Sequence, residues 1–291
     1  MSPACPRCSG ASRPWVVPYD RAAGTQRAVR RCDGCGIGFT WPQLQDTPAA
    51  PTDGPTGGIL SRAADALLAA ELRPVFEVMP PGARVLDIGA GSGVRTRLIA
   101  RAGRDVTAVE PDPVEAGAAR RRLAGMATVR QCGIEEFPDG DTAYDGAVLS
   151  HVLEHLADPD ASLAAIRTRL RPGGHIVIFV PNAAGLEARV LKGRWHAWEP
   201  SRHRWHFTKA TLARALADAG YGGIDVRARG GWRYPATLAF SIAPRLDPRT
   251  RRGPHHLVGR AFVLAVAPLA ALERVTGYGP QLVAVARVPM S

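Results

Sequence analysis

Four cysteines near the start of the chain have the spacing of a metal site. Cys5 and Cys8 are separated by two residues, and Cys32 and Cys35 repeat that spacing, with 23 residues between the two pairs. Each pair can place two thiolates on one tight turn, and two such turns can close a tetrahedron around zinc. We therefore predict that these four residues hold a structural Zn²⁺ ion. The alternatives are two disulfides, which are rare in a reducing cytoplasm, and a redox-active pair, which would not need the second pair.

Three glycines at alternate positions follow an apolar stretch, residues 84–88, that is predicted to be a buried strand. They are Gly89, Gly91 and Gly93, and the residues after them are predicted to form a helix. A strand, a glycine turn and a helix start make a nucleotide site, because the ligand can touch the backbone and the helix offers free N–H groups. A dinucleotide is one candidate ligand, but its G-x-G-x-x-G spacing would need a glycine in place of Val94.

Strands and helices alternate from residue 84 to the last residues of the chain, which predicts a doubly wound α/β sheet. Seven segments are predicted to be the strands: 84–88, 105–109, 127–131, 144–149, 175–182, 224–228 and 281–287. Their order predicts a Rossmann-like sheet of seven strands with one antiparallel edge. Parallel strands would place the glycine turn and the residues after the other strands along one edge of the sheet.

The chain divides into three predicted parts. Residues 1–45 form a small zinc ribbon, residues 46–58 form a linker rich in Pro, Thr, Asp and Gly, and residues 59–291 form the catalytic domain. Two stretches of that domain, residues 182–207 and 230–280, are predicted to be inserts that cover the substrate. A helical pattern over residues 59–79 is expected to break at Pro74.

The second insert contains an almost wholly apolar segment, residues 257–272. It is too short to span a bilayer and is interrupted by Pro268. We interpret it as a lid helix or a surface for self-association, with contact to a membrane surface as the alternative. Because the chain begins with a cysteine pair and shows no secretory signal, we expect a cytoplasmic protein.

The glycine turn and its surroundings resemble motif I of the class I S-adenosylmethionine (SAM) methyltransferases. Asp87 stands two residues before the first glycine, where a carboxylate suits a ligand with a cationic amino-acid end. Glu110 ends the second predicted strand, where an acidic residue faces the ribose hydroxyls. Residues 149–159 resemble the V-L-E-H-x-x-D-P segment of the UbiG-like small-molecule methyltransferases. The resemblance covers residues 84–182.

The resemblance implies SAM as cofactor and a set of residues that hold it. One departure is Gly133, which stands where the family has an aspartate that binds the adenine amino group; Glu135, the backbone or water would have to replace it, while Ile134 could pack on the ring. The implied SAM-binding residues are Asp87, Gly89, Ala90, Gly91, Gly93, Glu110, Pro111, Gly133, Ile134, Glu135 and Ser150.

Four histidines are candidates for the base that removes a proton from a hydroxyl acceptor: His151, His155, His203 and His206. We favour His151, because it directly follows the fourth predicted strand, where the resemblance places the acceptor. His203 and His206 lie in a segment rich in Trp and His, residues 195–207, which is predicted to form a wall of the acceptor pocket. The alternative for that segment is a packed loop whose histidines are hydrogen-bonded.

A catalytic metal is a second possible mechanism, because the sequence of His151, Glu154 and His155 resembles the E-x-x-E-H metal motif of UbiG relatives. These residues would share one face of a helix. Since His151 replaces the first glutamate, we do not expect a catalytic divalent metal.

The predicted activity is SAM-dependent methyl transfer to a small molecule, at a hydroxyl group, in natural-product, sugar or glycan biosynthesis. Transfer to carbon or nitrogen, methylation of a ribosomal RNA base, and a zinc-ribbon binding module with a vestigial SAM fold are the alternatives. The net charge of +11 suits nucleic acid, but 35 of the 37 basic residues are arginines, which a GC-rich genome produces, and they are scattered. A nucleic-acid partner is therefore not expected.

Overall fold

The computed structural model describes residues 2–20, 24–42, 59–138, 144–230, 234–243 and 277–290. The predicted linker, residues 46–58, and the apolar segment, residues 257–272, lie outside these ranges, as does most of the second predicted insert. Within the described ranges, no helix has the length and hydropathy that are needed to cross a lipid bilayer.

The strands are β1 (Ser12–Val16), β2 (Tyr19–Asp20), β3 (Thr25–Gln26), β4 (Ala28–Cys32), β5 (Gly38–Trp41), β6 (Arg84–Ile88), β7 (Asp105–Val109), β8 (Thr128–Arg130), β9 (Tyr144–Ser150), β10 (Leu170–Pro181), β11 (Trp205–His206), β12 (Gly222–Arg229) and β13 (Gln281–Arg287). The α-helices are α1 (Ile59–Glu71), α2 (Arg73–Val78), α3 (Val94–Arg101), α4 (Pro113–Leu123), α5 (Pro159–Arg169), α6 (Leu186–Leu191), α7 (Lys209–Asp218) and α8 (Tyr234–Ile242). Two 3₁₀ turns, Lys192–Arg194 and His196–Trp198, follow α6.

The large sheet has seven strands in the order β12-β13-β10-β9-β6-β7-β8. Its strands are parallel except for β13, which pairs antiparallel with both β10 and β12. The predicted seven-stranded Rossmann-like α/β fold is therefore confirmed. The prediction of an antiparallel edge is wrong in detail: β13 lies second from the edge, because β12 adds to its outer side.

Helices cover this sheet, and three of them begin at a capping side chain. Asp112 caps α4 and Asp158 caps α5, each by accepting hydrogen bonds from two backbone N–H groups of the first turn. Thr208 caps α7 in a capping box with Thr211. The expected break near Pro74 is confirmed, since α1 ends at Glu71 and α2 begins at Arg73.

A second, smaller sheet joins the cysteine-bearing segment to the rest of the chain. Its order is β1-β4-β5-β11, so that three strands come from residues 12–41 and the fourth, Trp205–His206, comes from the Trp/His segment. Trp205 pairs with Phe39, and His206 pairs with Gly38. A Cβ atom at Gly38 would lie 2.6 Å from the Trp15 ring and 2.8 Å from the Cβ of His206, so that this close pairing requires glycine.

An ion-pair cluster fastens the cysteine-bearing segment to two helices of the large sheet. The Arg7 guanidinium donates to both oxygens of Asp160 on α5, at 2.6 and 2.9 Å, and to Asp218 on α7 at 2.8 Å. Because the Arg7 side chain is only 7% exposed, its bidentate ion pair with Asp160 is stronger than an ordinary surface ion pair. Cys5, Cys32 and the β5 side chain Phe39 belong to the same buried apolar cluster as Leu86 of β6.

Candidate cofactor and active site

The glycine turn after β6 has the backbone that the sequence predicts. Gly89, Gly91 and Gly93 all adopt positive φ, at 64°, 54° and 77°. A Cβ atom at Gly89 would lie 2.5 Å from Val152 Cγ2, and one at Gly93 would lie 3.1 Å from Leu123 Cδ1. Only glycine combines this left-handed backbone with such close packing. The turn therefore brings a bare backbone to the carboxyl edge of the sheet.

Glu110, at the end of β7, is bound to the same turn. Its Oε2 accepts from the Gly91 N–H at 2.7 Å, and its Oε1 accepts from the Asp112 N–H at 3.0 Å. Burial raises the pKa of this carboxyl, and the two N–H donors oppose that rise. Each oxygen retains lone pairs, so that the carboxylate could accept further bonds from two neighbouring hydroxyl groups.

Asp87 is the next-to-last residue of β6. Its Oδ2 accepts from Thr96 Oγ1 of α3 at 2.6 Å, and its side chain is buried. Burial raises the pKa of Asp87 to about 6, although the hydrogen bond from Thr96 and the charge of Arg95 lower it. A buried carboxyl of this kind is a binding group for a cation that would displace its proton.

Two polar groups at this edge are buried and unsatisfied. Ser150 Oγ has no hydrogen-bond partner among the described residues, and the same holds there for Nε and Nη2 of Arg95. Arg95 lies in the first turn of α3, and its Nη2 is 3.8 Å from Glu71 Oε1. Because buried polar groups are normally paired, these atoms are suited to a polar ligand at the glycine turn.

The segment after β8 was predicted to lie beside an adenine ring. Ile134 is buried in the main apolar cluster. The Glu135 carboxylate accepts a hydrogen bond from Ser162 on α5. The Gly133 N–H donates to Glu136 Oε2 at 3.3 Å, so that Glu136 is a carboxylate of this segment that the sequence interpretation missed.

His151 directly follows β9, at the carboxyl end of that strand. The next residue, Val152, packs against Gly89, so that His151 lies beside the glycine turn. Its Nε2 is 3.1 Å from the Gln281 amide nitrogen, which can only donate, so that the His151 proton belongs on Nδ1. That Nδ1 is 3.3 Å from Oε1 of the buried Glu154. Gln281 also donates to Glu71 Oε1 at 3.0 Å, which links His151 to the wall of the cofactor site.

The expected helix face of His151, Glu154 and His155 is not formed. Residues 151–158 contain a turn at positions 153–155 and no helix, and His151 has a positive φ of 59°, which is incompatible with a right-handed helix. The His155 ring instead turns toward the Trp/His segment, where its Nδ1 is 2.9 Å from the Arg202 carbonyl oxygen. The ring stacks edge to face with His203, with the ring centroids 4.8 Å apart.

The Trp/His segment is packed among the described residues of the chain. Its three tryptophans, Trp195, Trp198 and Trp205, are each at most 3% exposed. The indole N–H of Trp195 donates to Glu187 Oε2, that of Trp198 donates to the Lys192 carbonyl oxygen, and that of Trp205 donates to the Leu156 carbonyl oxygen. Among the described residues, this packing matches the alternative interpretation, a packed loop whose histidines are hydrogen-bonded. The reason is the small sheet, which draws this segment against β5 and Trp15.

His203 and His206 are both buried in this packing. His206 Nε2 is 2.9 Å from Thr40 Oγ1, and His203 Nδ1 is 3.0 Å from the Ala197 carbonyl oxygen. Burial lowers the pKa of His203 to about 4 and lowers the pKa of His206 well below its usual range. Weakly basic, enclosed imidazoles are poorly suited to take a proton from an acceptor.

The four cysteines converge as the sequence predicts. Their sulfur atoms lie within 4.8 Å of one another, with Cys5 Sγ 3.8 Å from Cys35 Sγ and Cys8 Sγ 3.4 Å from Cys32 Sγ. Burial raises the pKa of Cys32, but N–H donors, including that of Cys35 at 3.3 Å, bring it down to about 7. A thiolate-forming set of four sulfurs could hold a tetrahedral zinc ion.

The chain is similar in sequence to several methyltransferases. The family described as "Methyltransferase domain" matches residues 60–226, more than half of the chain. The tRNA U34 carboxymethyltransferase of Methylococcus capsulatus is 32% identical over 203 residues, which are 64% of this chain and 62% of that protein. The chain thus spans less than two thirds of that relative. The ubiquinone biosynthesis O-methyltransferase of Alkalilimnicola ehrlichii is 31% identical over 166 residues, or 50% of this chain and 67% of that protein.

A solved structure shows the same fold. The crystal structure of a SAM-dependent methyltransferase from Archaeoglobus fulgidus matches with a TM-score of 0.51 and 20% identity, over 77% of this chain and 94% of that one. The predicted enzyme class, Rossmann-like fold and cofactor thus agree with the matched family, whose domain includes the glycine turn, Glu110 and His151. The chain belongs to the methyltransferase-domain family and is a SAM-dependent methyltransferase of class I.

Proposed function

We propose that this enzyme methylates a hydroxyl group of a small molecule, in the biosynthesis of a natural product, a sugar or a glycan. The observation that carries the proposal is the position of the His151 imidazole, at the carboxyl end of β9 and beside the glycine turn. A hydroxyl must lose its proton as it is methylated, and a partly exposed imidazole is a suitable base near neutral pH. The relative from Alkalilimnicola ehrlichii is named as an O-methyltransferase.

SAM, when bound, supplies an electrophilic methyl group on a sulfonium. Glu110 would accept from the ribose hydroxyls while its two backbone bonds hold the turn in place. Asp87 would face the ammonium group, and the unsatisfied Arg95 guanidinium would face the carboxylate at the same end of the ligand. Ala90, Pro111, Ser150 and the backbone of residues 133–135 complete the proposed site. Positioning of the acceptor against the methyl group contributes much of the rate.

His151 and Glu154 form the proposed proton-accepting pair. With its proton on Nδ1, the imidazole presents the Nε2 lone pair, which Gln281 contacts and an acceptor hydroxyl would take over. The Glu154 carboxylate beside Nδ1 would orient the ring and stabilise its protonated form. Burial raises the pKa of Glu154, but the neighbouring imidazoles, His151 foremost, bring it down to about 2 when they are protonated.

A test of the acceptor class uses the full chain, methyl-labelled SAM and panels of phenols, hydroxylated natural-product precursors and sugars. We expect label in an O-methyl ether, identified by mass spectrometry. Label that enters only carbon or amine acceptors would contradict the hydroxyl assignment while leaving the SAM site intact.

An RNA base is the second candidate acceptor. The relative from Methylococcus capsulatus is named for a tRNA, and the chain has a net charge of +11. Against it, β9 runs into Ser150-His151-Val152-Leu153, which lacks the Asn/Asp-Pro-Pro-Tyr/Phe motif of amino-group methylation of bases. Labelled RNA, with heparin binding that falls steeply with salt, would favour this candidate.

SAM binding should weaken in acid because of Asp87. In the folded protein without ligand, the pKa of Asp87 is raised to about 6. An adjacent ammonium group would lower this pKa, so that SAM binding below about pH 6 releases a proton from Asp87. We expect affinity that is flat above about pH 7 and falls about tenfold per unit below about pH 6. Titration calorimetry across this range tests it, with Asp87→Asn as a weaker, pH-independent control. Equal wild-type affinity at about pH 5 and pH 8 would refute it.

We also propose that residues 1–45 form a zinc ribbon that is joined through residues 46–58 to a catalytic domain, residues 59–291. The ribbon would support the acceptor side, because β5 pairs with β11. A cytoplasmic location remains our expectation.

Replacing Cys8 by serine should remove one equivalent of zinc and lower the melting temperature by several degrees, because a structural zinc site contributes folding free energy. Metal analysis and thermal unfolding measure both effects. The Cys132→Ser variant, which changes a cysteine outside the cluster, is the control and should retain its zinc. Equal zinc in the wild-type protein and Cys8→Ser would rule the site out.

A further inference from the structure

A second group of metal-ligating side chains lies behind the proposed base, apart from the four cysteines. Glu154, His155 and His203 each offer one ligand atom, and these atoms lie within 4.8 Å of one another. Glu154 follows β9, whereas His203 belongs to the Trp/His segment, so that the group joins two parts of the chain. Glu199 is a fourth neighbour, with its Oε2 3.9 Å from His203 Nε2.

The Glu154 carboxylate is the central observation. Its side chain is 1% exposed, and within the described part of the chain neither oxygen accepts a hydrogen bond of acceptable geometry. His151 Nδ1 lies 3.3 Å from Oε1, and His203 Nε2 lies 4.0 Å from the same oxygen. A buried carboxyl group without hydrogen bonds is costly, and in its ionised form it requires a positive partner.

Both histidines of this group contact a backbone carbonyl oxygen through Nδ1. Carbonyl oxygens only accept, so the contacts of His155 Nδ1 with Arg202 O and of His203 Nδ1 with Ala197 O place both protons on Nδ1. The Nε2 atom of each ring, when the ring is neutral, then carries a lone pair. A backbone carbonyl that holds Nδ1–H is also the usual support of a histidine that binds metal through Nε2.

We propose that Glu154, His155 and His203 bind a divalent transition-metal ion that fastens the Trp/His segment to the turn after β9. Two imidazoles and a carboxylate are a donor set for zinc and its first-row neighbours, and not for the all-oxygen coordination of magnesium or calcium. Ligand atoms of a tetrahedral zinc site are roughly 3.4 Å apart, so that an ion would draw these groups together by about 1 Å. Since Glu154 and His203 are buried, the ion braces the loop and does not contact the acceptor.

The site differs from the metal motif that the sequence suggested. His151 is not a ligand, because its Nδ1 carries the proton and its Nε2 contacts Gln281. The third ligand, His203, is 48 residues from His155 in the chain and joins the group through the small sheet.

Metal analysis of the full chain, dialysed after exposure to zinc, tests the proposal. We expect one more zinc equivalent in the wild-type protein than in His203→Gln, and the same loss in His155→Gln. His151→Asn should keep the full amount, as should His196→Gln, which changes a histidine of the same loop outside the group. SAM titration on each variant reports whether it has folded. Because Cys8→Ser should lose a different equivalent, Cys8→Ser combined with His203→Gln should hold no tightly bound zinc.

Equal zinc content in the wild-type protein, His203→Gln and His155→Gln would overturn the proposal without affecting the hydroxyl-methylation proposal. A crystal of the zinc-treated wild-type protein provides a measurement that is independent of any variant. Anomalous scattering at the zinc edge should place a peak between Glu154 and His203; a water molecule, or no peak there, would overturn the proposal even if the variants fail to fold.

Discussion

The Glu110→Ala variant is expected to bind SAM at least about a hundredfold more weakly than the wild-type protein. The carboxylate would lose its bonds to two ribose hydroxyls, and charge-assisted hydrogen bonds contribute about 1.5–3 kcal/mol each. The turn would also lose the acceptor that holds the Gly91 N–H at 2.7 Å. Calorimetric titration with SAM measures the change directly, without any knowledge of the acceptor.

Asp105→Ala is the matched control for this loss. Asp105 begins the same strand, β7, and is exposed at the opposite edge of the sheet, so that its removal should leave SAM affinity unchanged. If Glu110→Ala bound SAM as tightly as Asp105→Ala, the ribose would have to lie elsewhere, and the assignment of the site to this turn would fail.

The His151→Asn variant is expected to bind SAM with nearly unchanged affinity but to transfer the methyl group about 10²- to 10⁴-fold more slowly. This is the usual effect of losing a general base. Asparagine is chosen because it tolerates the positive φ of this position and cannot act as a base. Single-turnover transfer to the acceptor that the panel identifies separates the chemical step from binding.

His175→Asn controls for the loss of an imidazole elsewhere. His175 lies on β10 opposite Gly146, near the amino edge of the sheet, and should tolerate replacement. Full activity of His151→Asn would show that another group accepts the proton or that the acceptor is not a hydroxyl. A joint loss of SAM binding would show instead that His151 supports the cofactor site.

The large sheet could be predicted because its signals are local. Each central strand is a short run of apolar, β-branched residues. The glycine turn directly follows the first of these strands, β6, where the structure has glycines with positive φ. The observed strand ends differ from the predicted ends by a few residues. For example, β10 begins at Leu170, whereas the strand was predicted to begin at position 175. The place of β13 within the sheet depends on pairing between distant segments, which no local pattern records.

The site was predictable where it depends on strand ends and less so where it depends on long-range packing. Glu110 and His151 follow β7 and β9 directly, so that their meeting at one edge followed from the topology. The contacts of His151 with Gln281 and of His155 with the Arg202 carbonyl join residues 130 and 47 positions apart. The expectation that His151, Glu154 and His155 share one helix face was wrong, because the positive φ of His151 is incompatible with a helix at that position.

A crystal structure of the full chain with S-adenosylhomocysteine is the most direct test of the central claim, that the glycine turn, Glu110 and His151 form one active site. We predict ribose hydroxyls within hydrogen-bond distance of both Glu110 oxygens, the amino-acid end between Asp87 and Arg95, and the sulfur facing the side of the site where His151 lies. A ligand bound away from Glu110, or a sulfur directed away from His151, would contradict the account.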